Sequence, residues 1–220
     1  MEKFIKKVHE VFADLEGKNI ATKHPPEKID RVLYMICVDL FNRYYDFNGK
    51  NTKIESYLLP FKRSLTMNLS NGYGELPADF AHFRQAFIME GANEISEIQI
   101  IENHYWGDRS KRVLGGPSAD RPICRIEPVE NGNIKTIQVL PNNIPTIKLL
   151  YYKTVTEPKY AYTVNGTRYE YDDANSVDIE FPIALYMDIM SRLLSSFGIV
   201  LREGQLIQVG EMLKSQDQIK

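Results

Sequence analysis

Side-chain catalysis needs nucleophiles, bases or metal ligands that converge, and few residues of this 220-residue chain have the types and spacing to do so. The four histidines, His9, His24, His82 and His104, are scattered. None repeats at the four-residue spacing that puts two imidazoles on one helix face to hold zinc, so they read as surface or packing residues. The two cysteines, Cys37 and Cys124, are far apart and form no disulfide framework. Cys37 sits in the apolar run Tyr34-Met35-Ile36-Cys37-Val38, where a thiol behaves as a small hydrophobe. Gly115-Gly116 lacks the following lysine and serine of a phosphate loop, and no Gly-x-Ser-x-Gly elbow occurs. Asp172, Asp173, Asp178 and Glu180 form an acidic cluster that suits either a cation or a solvated loop leading into a helix N-terminus. No spacing of carboxylates singles out an acid/base couple. The expectation is a protein without catalytic residues, metal or cofactor.

Contact chemistry is better supplied. Arg109, Lys111 and Arg112 are a basic spot suited to DNA or an acidic partner, with plain surface charge as the other reading. Lysine and arginine total 27 against 29 acids, a net charge of -2, which argues against a dedicated binder of nucleic acid. The run Ile147-Lys148-Leu149-Leu150-Tyr151-Tyr152 offers apolar groups to both faces of a strand. Leu150 and Tyr152 must therefore be covered by internal core or by a neighbouring subunit, and the residues leave both open.

The elements that position these residues follow from periodicity. Phe4, Val8, Val11, Phe12 and Leu15 predict a first helix stopped at Gly17. Pro25-Pro26 opens a second, with Ile29, Val32, Leu33, Ile36, Leu40, Phe41 and Tyr44 as its stripe and Asn48-Gly49 at its end. A short helical turn over 54–61 breaks at Pro60. Alternation then predicts strands from Ser64 to Leu69, returning through an Asn71-Gly72 hairpin, and over 83–89, 95–101, 123–128, 134–140 and 146–153. Asn131-Gly132-Asn133 and Asn165-Gly166 predict further hairpins, and residues 107–120 predict a mobile loop. Ser176 and Asp178 offer caps to a long helix with Pro182 in its first turn. A last helix over 203–214 carries Leu206, Val209 and Leu213 on one side. The fold class expected is α+β: a helical module from both chain ends (1–62 and 176–220) around an inserted, antiparallel β-rich domain (63–175). A hydrophobic share of 43% allows a sizeable core. Met1 to Lys7 lacks the apolar region of a signal peptide and no stretch approaches the ~18 apolar residues of a membrane span. A soluble protein made in the cytosol is expected.

The segment Ser176-Val177-Asp178-Ile179-Glu180-Phe181-Pro182 is followed by Asp188-Ile189, Gly198-Ile199, Leu201-Arg202-Glu203 and Gly210-Glu211-Met212-Leu213-Lys214. Earlier come Leu76-Pro77-Ala78-Asp79-Phe80, Trp106-Gly107-Asp108-Arg109, Arg121-Pro122-Ile123-Cys124 and Leu150-Tyr151-Tyr152-Lys153 with Pro158. In this order, over most of residues 60–214, the set resembles a structural protein family of crAss-like and related Bacteroidetes-infecting phages. The resemblance implies a ring (adaptor) protein of the head-to-tail connector, a homo-oligomer expected to be dodecameric. Its implied partners are the portal protein, further ring or tail hub proteins, and genomic DNA passing through the lumen, with no membrane. It would be made in the host bacterial cytoplasm and reside in the virion at the portal vertex.

The resemblance carries no catalytic residues, so the matched positions receive structural roles. Leu76-Pro77 is expected to end a strand, with Asp79 capping the next turn and Phe80 anchoring it. Trp106 is a further motif position. Phe181-Pro182 sets the start of the C-terminal helix, Phe181 as a staple or as an interface residue. Leu206, Val209 and Leu213 offer a face to a neighbour or the portal. Two other classes stay open: a non-catalytic ligand- or glycan-binding virion module with a concave aromatic site, and an enzyme with perturbed titratable groups in a pocket.

Overall fold

A computed structural model describes residues 3–16, 25–47, 52–112, 115–128, 135–165 and 168–198. Its helices are α1 (Phe4–Glu16), α2 (Pro26–Asp46), α3 (Thr52–Leu58), α4 (Asn103–Ser110) and α5 (Tyr186–Ser196). The strands are β1 (Lys62–Asn68), β2 (Tyr73–Glu75), β3 (Phe80–Glu90), β4 (Asn93–Glu97) and β5 (Gln99–Ile100). They continue with β6 (Ile123–Pro128), β7 (Lys135–Leu140), β8 (Thr146–Lys153), β9 (Tyr162–Asn165) and β10 (Arg168–Tyr171). The fold is mixed α+β.

The chain divides into two compact units, one holding residues 1–60 and 155–220 and the other Phe61–Thr154. The second boundary thus falls at Thr154, well before the expected residue 175. The β9–β10 hairpin looks like sheet in sequence, but the segment carrying it is tied to helix: Tyr160 N–H donates to Asp30 Oδ2 (2.8 Å) and Tyr162 Oη to Glu27 Oε1 (2.7 Å).

In the helical unit, α1 buries Phe4, Ile5, Val8, Val11 and Phe12, the face its spacing prescribes. Pro26 occupies the first turn of α2, where a missing N–H costs nothing, and Ile29, Leu33, Cys37, Leu40 and Phe41 are buried below it. The short α3 ends in a 3-10 turn, Leu59–Phe61, that contains Pro60. Ile189, Met190, Leu193 and Leu194 are the buried face of α5. Its start departs from expectation. Pro182 precedes a 3-10 turn, Ile183–Leu185, and neither Ser176 nor Asp178 caps it. Asp178 instead reaches α1, accepting from the N–H groups of Phe4 (2.8 Å) and Ile5 (2.9 Å). The free N–H groups of a helix start attract any well-placed carboxylate, whatever its distance in sequence.

The other unit is two four-stranded sheets, ordered β1-β8-β3-β4 and β2-β7-β6-β5. All pairs are antiparallel except β5 with β6. One core receives Ala86, Ile88, Ile147 and Leu149 from the first sheet and Cys124, Ile137 and Val139 from the second. Alternate residues of each strand supply it.

Asn71-Gly72 forms a tight turn with φ of 52° and 81°, values that suit asparagine and glycine. Ser70 and Tyr73 exchange both backbone hydrogen bonds (2.9 Å each), but the hairpin goes no further. β1 pairs with β8 and β2 with β7, so this turn passes the chain from one sheet to the other. Residues 107–110 belong to α4, inside the stretch expected to be a loop. Only Trp106 of that helix is buried, so no apolar stripe announces it. Ser118 and Arg121 then pair as an isolated bridge. The hairpin signals at 131–133 and Gly166, the stops at Gly17 and Asn48-Gly49, and the last helix with Leu206, Val209 and Leu213 lie outside the described residues.

Candidate functional site

The residues with chemical potential are dispersed, each held by a structural partner. His9 Nε2 lies 2.9 Å from Asp30 Oδ1, both buried, and the imidazole stacks on Tyr160 at 4.0 Å. The other carboxylate oxygen of Asp30 is occupied by the Tyr160 amide, so the pair ties α1 and α2 to the segment before β9. The acidic cluster also disperses. Asp172 accepts from the Asn175 side chain (2.6 Å) and from the amides of Ala174 and Asn175, and these bonds, the Asn175 side chain first, hold its carboxyl below the ordinary range. Asp173 pairs with Lys3 (3.5 Å), Asp178 caps α1, and Glu180 accepts from Thr156 (3.1 Å). Among the described residues no three such groups could share a metal ion. Cys37 and Cys124 are free, buried thiols. Burial pushes each up to about 12, with the Asp178 charge adding to the effect at Cys37, so neither is a nucleophile at neutral pH.

The matched motif positions serve the core. Leu76 and Phe80 are buried in the two-sheet core, and Phe80 N–H closes a turn onto the Pro77 carbonyl (2.9 Å). Strand β3 starts at Phe80 directly, so Asp79 caps no helical turn. It accepts from Tyr151 Oη (3.0 Å) and, through its carbonyl, from Thr154 N–H (2.7 Å). Burial first, then this bond to Asp79, raises the Tyr151 phenol. Pro182 accepts from Leu185 N–H at 2.9 Å.

Two interface candidates are removed. Phe181 is 2% exposed and Tyr152 0%, so neither presents surface to a neighbour. Tyr152 is on the β8 face opposite Leu149 and Tyr151, covered within its own chain, and its hydroxyl accepts from Arg84 (2.8 Å). Leu150 is half-buried on that face.

What the fold does bring together is α4 and the edge strand β5. Tyr105, Asp108, Arg109 and Arg112, at helical spacing, line a cleft of about 460 Å³ with Gln99, Ile100, Ile101 and Glu102. A second cleft of about 270 Å³ shares Gln99 and Arg109 and adds Glu97, Gly115-Gly116 and Arg121. Trp106 anchors α4 from beneath, buried with Ile101 and Ile123, and the Arg125 guanidinium lies 4.6 Å above its ring. Of the expected contact residues, Arg109 and Arg112 line the clefts, whereas Lys111 caps the helix and lines neither. Tyr105, Ile100 and Arg121 were missed, since only the packing of α4 beside β5 unites them. The clefts hold acids and arginines in near balance, which suits a protein surface better than a polyphosphate.

No helix among the described residues is long and apolar enough to cross a membrane. No protein-family model matches this sequence and no curated protein is similar to it, so the phage-family resemblance rests on its own motifs.

Proposed function

We propose that this chain is a non-catalytic structural subunit of a phage head-to-tail connector, forming a ring under the portal that extends the DNA channel and joins the tail. The observation that carries the reading is the ordered set of motifs across residues 60–214, from Leu76-Pro77 to Gly210-Glu211. Two features support it. The polar clusters are spent on holding segments together, and helices from both chain ends share one unit while strands β1 to β8 belong to the other. A ring subunit touches its neighbours through two different surfaces, and the contact must close by rotation. The exposed α4–β5 cleft is one candidate for such a surface, mixed in charge with Tyr105 and Ile100 at its rim.

Native mass spectrometry of the purified chain, alone and with the portal protein, tests this reading. A closed multimer, or saturating ring-stoichiometric binding to the portal, is expected. A monomer indifferent to the portal would overturn it. A second reading, a ligand- or glycan-binding virion module, would then take its place, since an exposed tyrosine in a concave cleft suits a sugar ring.

A further inference from the structure

The two clefts beside α4 contain cations that the fold leaves unused. Arg43, Arg125 and Arg192 are each paired within the chain, with Asp39 (3.2 Å), Glu127 and Asp188 (3.0 Å). The guanidiniums of Arg109, Arg112 and Arg121 differ, since no described residue hydrogen-bonds or ion-pairs with any of them. They are also gathered. Arg109 lines both clefts, Arg112 the larger and Arg121 the smaller. The platform under them is fixed by Trp106, buried with Ile101 and Ile123. Gly115-Gly116 completes the smaller cleft, and its composition has a reason. Gly115 has φ of 72°, and a Cβ at Gly116 would collide with the Arg112 carbonyl oxygen. Only glycine lets this stretch close against the main chain just beyond α4.

The acids of the clefts are less available. Glu97 accepts from Gln85 (3.2 Å) and Glu102 lies 3.3 Å from His104 Nδ1, which leaves Asp108 as the lining carboxylate without a contact among the described residues. Unpaired guanidiniums around one site select an acceptor of matching shape, and a carboxylate takes each one through two parallel hydrogen bonds. A polyphosphate fits less well, because Glu97, Glu102 and Asp108 would repel its unbroken charge. Discrete carboxylates can be set on the arginines one by one. Tyr105 and Ile100, 57% and 45% exposed, are covered only if apolar groups accompany those carboxylates. Such a mixture is the chemistry of a protein segment.

We propose that Arg109, Arg112 and Arg121 hold the carboxylates of an acidic segment of a partner protein, whose apolar side chains cover Tyr105 and Ile100. The proposal rests on the connector reading, which makes that partner a neighbouring virion subunit. Charge complementarity of this kind sets partner choice and association rate, so the contact should weaken as salt rises.

The probe is an octapeptide of alternating glutamate and valine, titrated at low salt into the isotope-labelled full-length chain and followed by NMR, which detects weak binding. Saturable shifts are expected at the amides of Gln99, Ile100 and Gly116 and at the side-chain Nε–H groups of the three arginines. The glutamine-valine counterpart should bind at least about tenfold more weakly. Arg109→Gln should weaken the glutamate peptide about two- to fivefold, the range of one exposed charge pair, and Arg109→Gln with Arg121→Gln roughly tenfold. These exposed positions leave the fold intact. No saturable shift, shifts away from the clefts, or equal affinity for the glutamine peptide overturns the proposal. A charge-matched single-stranded oligonucleotide that moves the same signals at lower concentration assigns the clefts to nucleic acid and overturns it as well. The portal takes no part in this titration, so failure here leaves the connector reading to its own multimer measurement.

Discussion

The two units hold themselves together by different means. In the sheet unit the strands are joined by backbone ladders and an apolar core shared by both sheets, and no buried charged side chain occurs among its described residues. The helical unit has an apolar core as well, yet Lys7, His9, Asp30 and Ser176 are all buried in it. The reason lies in connectivity. α1 and α2 are separated from the segment after Val155 by the whole sheet unit, and helices satisfy their backbones internally, so nothing in the ladders tells these segments where to dock. Directional side-chain bonds do so instead. Asp30 joins His9 to Tyr160, Asp178 caps α1, and Ser176 Oγ accepts from Ala161 N–H (2.9 Å) while donating to the Asp172 carbonyl (2.6 Å). Apolar packing alone tolerates sliding, whereas a buried polar group without its partner costs too much to be misplaced.

Each unit contains one buried thiol, Cys37 in the helical unit and Cys124 in the sheet unit, so labelling rates report their openings separately. The largest effect is expected from Asp30→Ala, which strands His9 and the Tyr160 amide. Breaking a buried pair costs about 3–5 kcal/mol, seen as lower urea resistance and faster labelling of Cys37, with Cys124 unchanged. A loss small enough to leave Cys37 labelling at its original rate would erase the distinction drawn between the units. Leu149→Ala is the mirror experiment. Removing this buried side chain from the sheet core should cost roughly 2–5 kcal/mol and accelerate Cys124 labelling while sparing Cys37. If both thiols respond equally to either substitution, the units open as one.

The smallest effect sharpens the comparison at the surface. The Tyr162 hydroxyl, first among the causes, holds the exposed Glu27 carboxyl below its ordinary value of 4.5. A carboxyl lowered by folding stabilises above the unfolded value, and that stability is lost as pH falls through the folded one. Tyr162→Phe should move the Glu27 midpoint upward in an NMR titration and flatten the acid limb of stability slightly, since solvent screens the contact. An unmoved midpoint would show that this tie between α2 and β9 is idle.

Periodicity made much of the fold legible. The stripe from Ile29 to Phe41 announced α2, the alternation from Ser64 to Leu69 announced β1, and the apolar run from Ile147 to Tyr152 announced β8, because burial writes itself into neighbouring residues. α4 was not legible, since its single buried residue, Trp106, makes no pattern. The second unit boundary was missed for the opposite reason: β9 and β10 read like any strand pair, and only the bonds of Tyr160, just before β9, and of Tyr162 to α2 tie that segment to the helices.

For the candidate site, the sequence by itself determined that Arg109, Lys111 and Arg112 form a basic spot, and that no catalytic motif occurs by spacing. Only the tertiary structure decided that Arg109 and Arg112 face β5, that Asp178 serves α1, and that Tyr152 is covered by its own chain. Local spacing encodes which face of an element is apolar. It cannot encode which distant element that face meets, since the partner is chosen by burial and hydrogen bonding summed over the whole fold.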